Sequence, residues 1–235
     1  MFTQPVVIVV GAGASFDTYG LPLGSTLATR IAEDTNFFFE HYSHRPTKGD
    51  ADFFERTIWA KFSTDRDKLN LYTAASQRLS AAISSTVSID DALHQLSEFP
   101  EAIEIGKMCI IRSILKAEGK SDLKNQSESG RPLPEAGKDG WIEQIFSMAI
   151  TGFKLSEIER AFNKITFVNF NYDRCIEQYF YWSLQRIGMS AAQSAETVRN
   201  LSIIRPYGGL GSLLPGEPSS PVWRQPFSGS LRYGR

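Results

Sequence analysis

An α/β fold, with a parallel sheet interrupted by a large helical insertion, is what this sequence predicts. Three observations point there: short β-branched runs near the start and toward the end of the chain, a long block of helical periodicity between them, and a glycine-rich turn directly after the first run. A chain of 235 residues can bury one sizeable core. The prediction is a single domain over 1–235, with the sheet-bearing core at about 1–35 and 156–235 and the insertion at about 36–155.

Taken in order, Val6 to Val10 is a continuous β-branched run of the kind found in a strand buried on both faces, and "KITFVNFN" from Lys164 is a second. "LSIIRPYGG" from Leu201 is the third strand candidate. Between the first two, Phe54, Ile58 and Phe62 fall at four-residue spacing, as do Leu79 and Ile83, and Ile103, Ile110, Ile114 and Leu115 follow one stripe. Ser88 caps the helix of "SIDDALHQL", Pro100 starts the next helix in its first turn, and Gly119 ends it. Lys120 to Asp139 is rich in Ser, Gly, Pro and charge and reads as a surface loop.

Acidic and basic residues nearly cancel, leaving a net charge of −1, so neither nucleic acid nor a membrane surface is an expected partner. Cys109 and Cys175 have no neighbouring Cys or His at ligand spacing, which argues against a zinc site and a disulfide scaffold. The first residues show no basic leader, and no stretch approaches a membrane span. A soluble, cytoplasmic protein without a metal is the expectation.

The turn Gly11-Ala12-Gly13-Ala14-Ser15 follows a strand and nearly lacks side chains, so its backbone amides can approach a pyrophosphate. The dehydrogenase fingerprint wants a third glycine where Phe16 stands, and an acidic residue ending a second strand; Glu33 and Asp34 have the offset but sit in a helical pattern. No Gly-Lys-Ser/Thr follows, which excludes a P-loop. On glycine spacing alone, a phosphate cradle and a tight turn packing strand on helix stay open.

"GAGAS" followed by "YGLP" resembles the opening of the sirtuin-type NAD-binding fold, and "NFNYD" from Asn169 to Asp173 resembles that fold's Asn-x-Asp segment. "SIDDALHQL", "IGKMCIIRSILKAE" and "FVNFNYDRCIEQYFYWSL" are similar to the sirtuin-like domains of bacterial proteins, several of which act as NAD hydrolases in anti-phage defence. The resemblance implies a Rossmann-like sheet, NAD as substrate or ligand, and cleavage of the nicotinamide–ribose bond. It also implies a protein partner in a defence system, and a homo-oligomer is a further expectation. By resemblance Gly11, Ala12, Gly13, Ala14 and Ser15 hold the diphosphate. Asn171, at the carboxyl end of a strand, orients water and a ribose hydroxyl, and Arg205, Tyr207 and Gly208 lie in the same pocket. Asp173 either hydrogen-bonds the nicotinamide amide or ribose, or caps the helix that begins "RCIEQYF".

The departures bear on activity. Sirtuin deacylases carry Asp-Phe-Arg after their Gly-x-Pro, a four-cysteine zinc module and a catalytic His before a Gly; here the corresponding positions read Leu23-Gly24-Ser25 and Tyr207-Gly208, and the metal ligands of the zinc module are missing. Where defence-type relatives place a His two residues before that Tyr, this chain has Arg205, which stays protonated and cannot be a general base. His41 and His44 read as a solvent-exposed helix end and His94 as a surface or packing residue. The aromatic runs Tyr179 to Trp182 and Phe37 to Phe39 read as core faces rather than stacking platforms. A doubly wound sheet continues beyond this point, so the domain is expected to be incomplete, with at most a short strand around Val222 to Phe227. Two functions stand: an NAD-cleaving enzyme, and a non-catalytic sensor that keeps the NAD or ADP-ribose pocket.

Overall fold

A computed structural model describes residues 2–41, 43–123, 137–212 and 214. The chain divides into two compact units: a sheet unit made of Met1–Leu23 and Ile114–Pro221, and a helical unit built on Gly24–Ser113. The division falls inside a helix, Pro100–Glu118, whose last turn belongs to the sheet unit. Helices expected in the insertion, Trp141–Ile150 among them, fall with the sheet, and Gly24–Thr35 falls with the helices.

In the sheet unit, β1 (Val6–Val10), β2 (Ile165–Asn169) and β3 (Ser202–Ile204) form a parallel sheet in the order β1-β2-β3. Val6 pairs with Ile165 and Val10 with Asn169, so the first two strands end level; Val168 pairs with Ile204. An α/β architecture with a small parallel sheet is therefore present. Expected burial on both faces of β1 is corrected: Val10 is buried, but Val7 and Val9 are 63% and 69% exposed. In register with them Thr166 and Val168 are half-buried and Ile204 is exposed, so this face lies open among the described residues. A β-branched run encodes extended backbone; it does not encode what covers each face.

The opposite face carries the core. Phe180, on the helix Cys175–Arg186, lies edge-on to Phe146, Phe162 and Phe167 at centroid distances of 5.6, 5.2 and 5.7 Å. Such edge-to-face rings add to the burial of their apolar area. The run Tyr179 to Trp182 is thus core, as expected.

In the helical unit, Asp50 and Ser88 cap their helices through Phe53 and Asp91 amides, the second as predicted. Phe54, Ile58 and Phe62 are buried, but the four-residue spacing runs through a π-turn, Phe54–Trp59, rather than a regular helix. Leu79 and Ile83 are buried as expected on Arg66–Ser85. On Pro100–Glu118 the buried seam is Ala102, Ile105, Cys109, Ile110 and Ile114, with Ile103 and Leu115 on its flank. Phe37 and Phe39 pack edge-on against Phe54, whereas Phe38 is 55% exposed and no core residue. His41, His44 and His94 are exposed.

Most of Lys120 to Asp139, and the strand expected around Val222 to Phe227, lie outside the described residues. No described helix is long and apolar enough to cross a membrane.

Candidate functional site

The carboxyl ends of β1 and β2 bring together the two segments singled out in the sequence. Gly11 caps α1 (Ala12–Tyr19) from an extended conformation, φ −127° and ψ −176°, and Gly20 closes it in the left-handed region that glycine favours, φ 68°. The expected loop over Ala12 to Ser15 is therefore already the first helical turn. The Ala14 N–H donates to the Gly11 carbonyl at 2.9 Å, while Ala12 and Gly13 are the first two helical residues, whose N–H groups have no partner within the helix. The helix dipole places partial positive charge at the same end.

Gly11 fills the N-cap position, which suits glycine, whereas Gly13 is not required by the fold. Both have ordinary backbone angles, and a Cβ at Gly11 or Gly13 would meet nothing within 4 Å. Inside the helix, at position 13, glycine costs up to about 1 kcal/mol against alanine. Both residues leave open space over the amides.

Asn171 closes the second side. Its Nδ2 donates to Ser15 Oγ at 2.8 Å, joining positions 156 residues apart. Phe170 N–H donates to the Val10 carbonyl at 2.9 Å, so the "NFNYD" segment runs beside the start of α1. Asn169 shapes the turn: its Oδ1 accepts from the Asn171 N–H at 3.0 Å, while its buried Nδ2 has no hydrogen-bond partner.

Asp173 is buried, and its Oδ1 accepts from the Cys175 N–H at 3.1 Å, the helix-start role weighed for it. The Cys175 thiol lies between Asp173 and Ser15. Burial pushes its pKa well up and the Asp173 carboxylate adds to the rise, while the bond to Ser15 opposes it. Burial and the raised pKa both keep this thiol in its protonated form.

Arg205 turns its guanidinium onto protein, not into open space. Its Nη2 lies 2.5 Å from Glu177 Oε1 and donates to the Asp173 carbonyl at 3.1 Å, and its Nη1 donates to the Asn171 carbonyl at 3.4 Å. Leu210 N–H donates to the Tyr172 carbonyl at 3.2 Å. The chain leaving β3 therefore fastens the backbone of 171–173 from both sides of Tyr207, which is itself 56% exposed. Gly208 closes the intervening turn, its N–H donating to the Arg205 carbonyl at 3.2 Å, at φ 87°.

No protein-family model matches the chain, and no curated protein and no solved structure does.

Sequence reasoning missed a buried ion pair behind this segment. Arg174 is 1% exposed and Glu118 0%. The Arg174 N–H and Nε donate to Glu118 Oε1 at 3.0 and 3.3 Å, and Nη2 pairs with Oε2. The signal was present: Glu118 continues the four-residue series Ile110, Ile114, so a carboxylate stands on an apolar stripe and needs a buried cation. Trp141, whose Nε1 donates to the Ala14 carbonyl at 3.1 Å, was also missed. The sheet unit holds no histidine, and no group of three or more His, Cys, Asp or Glu among the described residues could hold a metal ion.

Proposed function

We propose that the sheet unit is a Rossmann-like, sirtuin-type domain that binds NAD, with the diphosphate over the start of α1 and the nicotinamide ribose at Asn171. The observation that carries this reading is Gly13, a glycine that the helix does not need and whose side-chain position is open, in a first helical turn whose N–H groups lack partners within the helix and whose Ser15 is tied to the Asn171 carboxamide. Helix N-termini with close backbone approach favour phosphate.

The reaction proposed is hydrolysis of the nicotinamide–ribose bond. Positioning of the ribose and an attacking water by Asn171 supplies orientation, and the helix end stabilises phosphate charge. The His that the resemblance implies is replaced by Arg205, whose guanidinium is engaged with Glu177, and the sheet unit holds no histidine to take its place. Such a loss removes about a hundredfold to ten-thousandfold of rate. Turnover is accordingly slow in this reading, or dependent on a protein partner of the anti-phage type that the resemblance implies. The absence of histidine from this unit favours a second reading, a sensor that binds NAD or ADP-ribose without cleaving it.

Gly13→Ala tests the carrying observation. The added methyl meets no protein atom, so thermal stability should hold or rise, while affinity for NAD and ADP-ribose in calorimetry should fall at least about tenfold. Asn171→Ala should abolish nicotinamide release. Failure of the unmodified protein to bind either compound at millimolar concentration would sink the reading, and binding without nicotinamide release would leave the sensor.

A further inference from the structure

The site carries two exposed aromatic rings to which no role has been given: Tyr207, which the resemblance places in the pocket, and Phe170. Phe170 is 39% exposed and Tyr207 is 56% exposed, with ring centroids 5.8 Å apart and planes inclined at 58°. They come from the exits of adjacent strands, β2 and β3, and Phe170 immediately precedes Asn171.

Both rings are held by backbone anchors. Phe170 is fixed through its N–H to Val10, the residue before Gly11. Tyr207 stands between Arg205, held by Glu177 and two carbonyls, and Leu210, bonded to Tyr172. An aromatic side chain on a flexible tip would reorder on binding; these two are presented by a fastened backbone, which lowers the ordering cost of a contact. Side chains exposed to this degree gain little from the core, and nothing in the turn geometry of 205–208 needs an aromatic residue.

Resting on the proposed dinucleotide reading, we infer that Phe170 and Tyr207 form an aromatic wall for a planar heteroaromatic ring of the ligand, which meets one of them face-on and the other edge-on, and so set its specificity. The flat face of a base stacks on such rings whatever its hydrogen-bonding edge. The ring is the nicotinamide or the adenine, which share this chemistry.

Equilibrium titrations of the full chain with nicotinamide mononucleotide, AMP and ribose 5-phosphate separate the sources. Tyr207→Leu and Phe170→Leu should each weaken binding of one base-bearing mononucleotide about tenfold. Ribose 5-phosphate should bind both variants and the unmodified chain alike, and Tyr207→Phe should retain affinity. Loss for nicotinamide mononucleotide identifies a nicotinamide wall, and loss for AMP an adenine wall. Because Tyr207 is mostly exposed, its Leu variant should melt with the unmodified protein. Unchanged affinity for both mononucleotides in both Leu variants, with NAD bound by the unmodified chain, overturns the wall and leaves the dinucleotide reading standing. No binding of NAD or either mononucleotide by the unmodified chain removes both.

Discussion

Replacing Glu118 by leucine should destabilise the sheet unit more than any exposed substitution, because it removes the carboxylate that three hydrogen bonds of a buried arginine end on. Arg174 is 1% exposed, and three of its hydrogen bonds, from the backbone N–H, Nε and Nη2, end on this one carboxylate. Removing one partner of a buried pair costs about 3–5 kcal/mol, since the other charge stays desolvated. With a urea slope near 2 kcal/mol per molar, that moves the midpoint down by about 2 M. Glu118→Gln keeps an oxygen for the Arg174 N–H and should lose about half as much. Glu118→Leu combined with Arg174→Met removes both charges and should recover most of the loss. Urea unfolding followed by far-ultraviolet circular dichroism reads all three. A midpoint shift below about 0.3 M for Glu118→Leu alone, or a double variant less stable than the single one, would refute the reasoning.

Acid should loosen the helical unit partly through Asp52. Hydrogen bonds from Arg112 and Arg56 hold its carboxyl below the usual 3.8, so the stabilisation is complete above that value and is lost as pH falls through the lower folded one. Asp52→Asn should flatten the decline in urea midpoint between about pH 5 and pH 2, and an unchanged slope would count against the assignment. Cys175, buried with its pKa pushed well up, should resist iodoacetamide in the native protein at neutral pH and react once unfolded; rapid native alkylation identified by mass spectrometry would contradict the packing around Asp173 and Ser15.

The three strands were legible because β-branched runs have few other uses, and Ser88 and Pro100 announced their helices through capping chemistry that is local. The open face at Val7 and Val9 was not legible, since coverage depends on what the rest of the chain packs where. At the site, proximity of "GAGAS" and "NFNYD" followed from both segments leaving parallel strands, and the Asn171–Ser15 bond bears it out. The direction of Arg205 could not be read. A guanidinium beside a pocket can face ligand or protein, and its partner Glu177 sits 28 positions away on a helix whose phase sequence fixes only roughly. The first turn of α1 was mistaken for a loop because small residues disguise a helix start that lacks Ser, Asp or Asn at its cap.

Arg205 and Leu210 hold the segment 171–173 by its carbonyl oxygens, atoms that every amino acid shares. Shape and chemistry are thereby uncoupled at this spot. Side chains at 171 and 172 can be exchanged without dismantling the clamp, so a library randomised there should return mostly folded proteins whose differences lie in what they bind. Randomising Arg205 itself should do the reverse. A scaffold fastened this way can lose one reaction and acquire another by point substitution, with its architecture inherited intact.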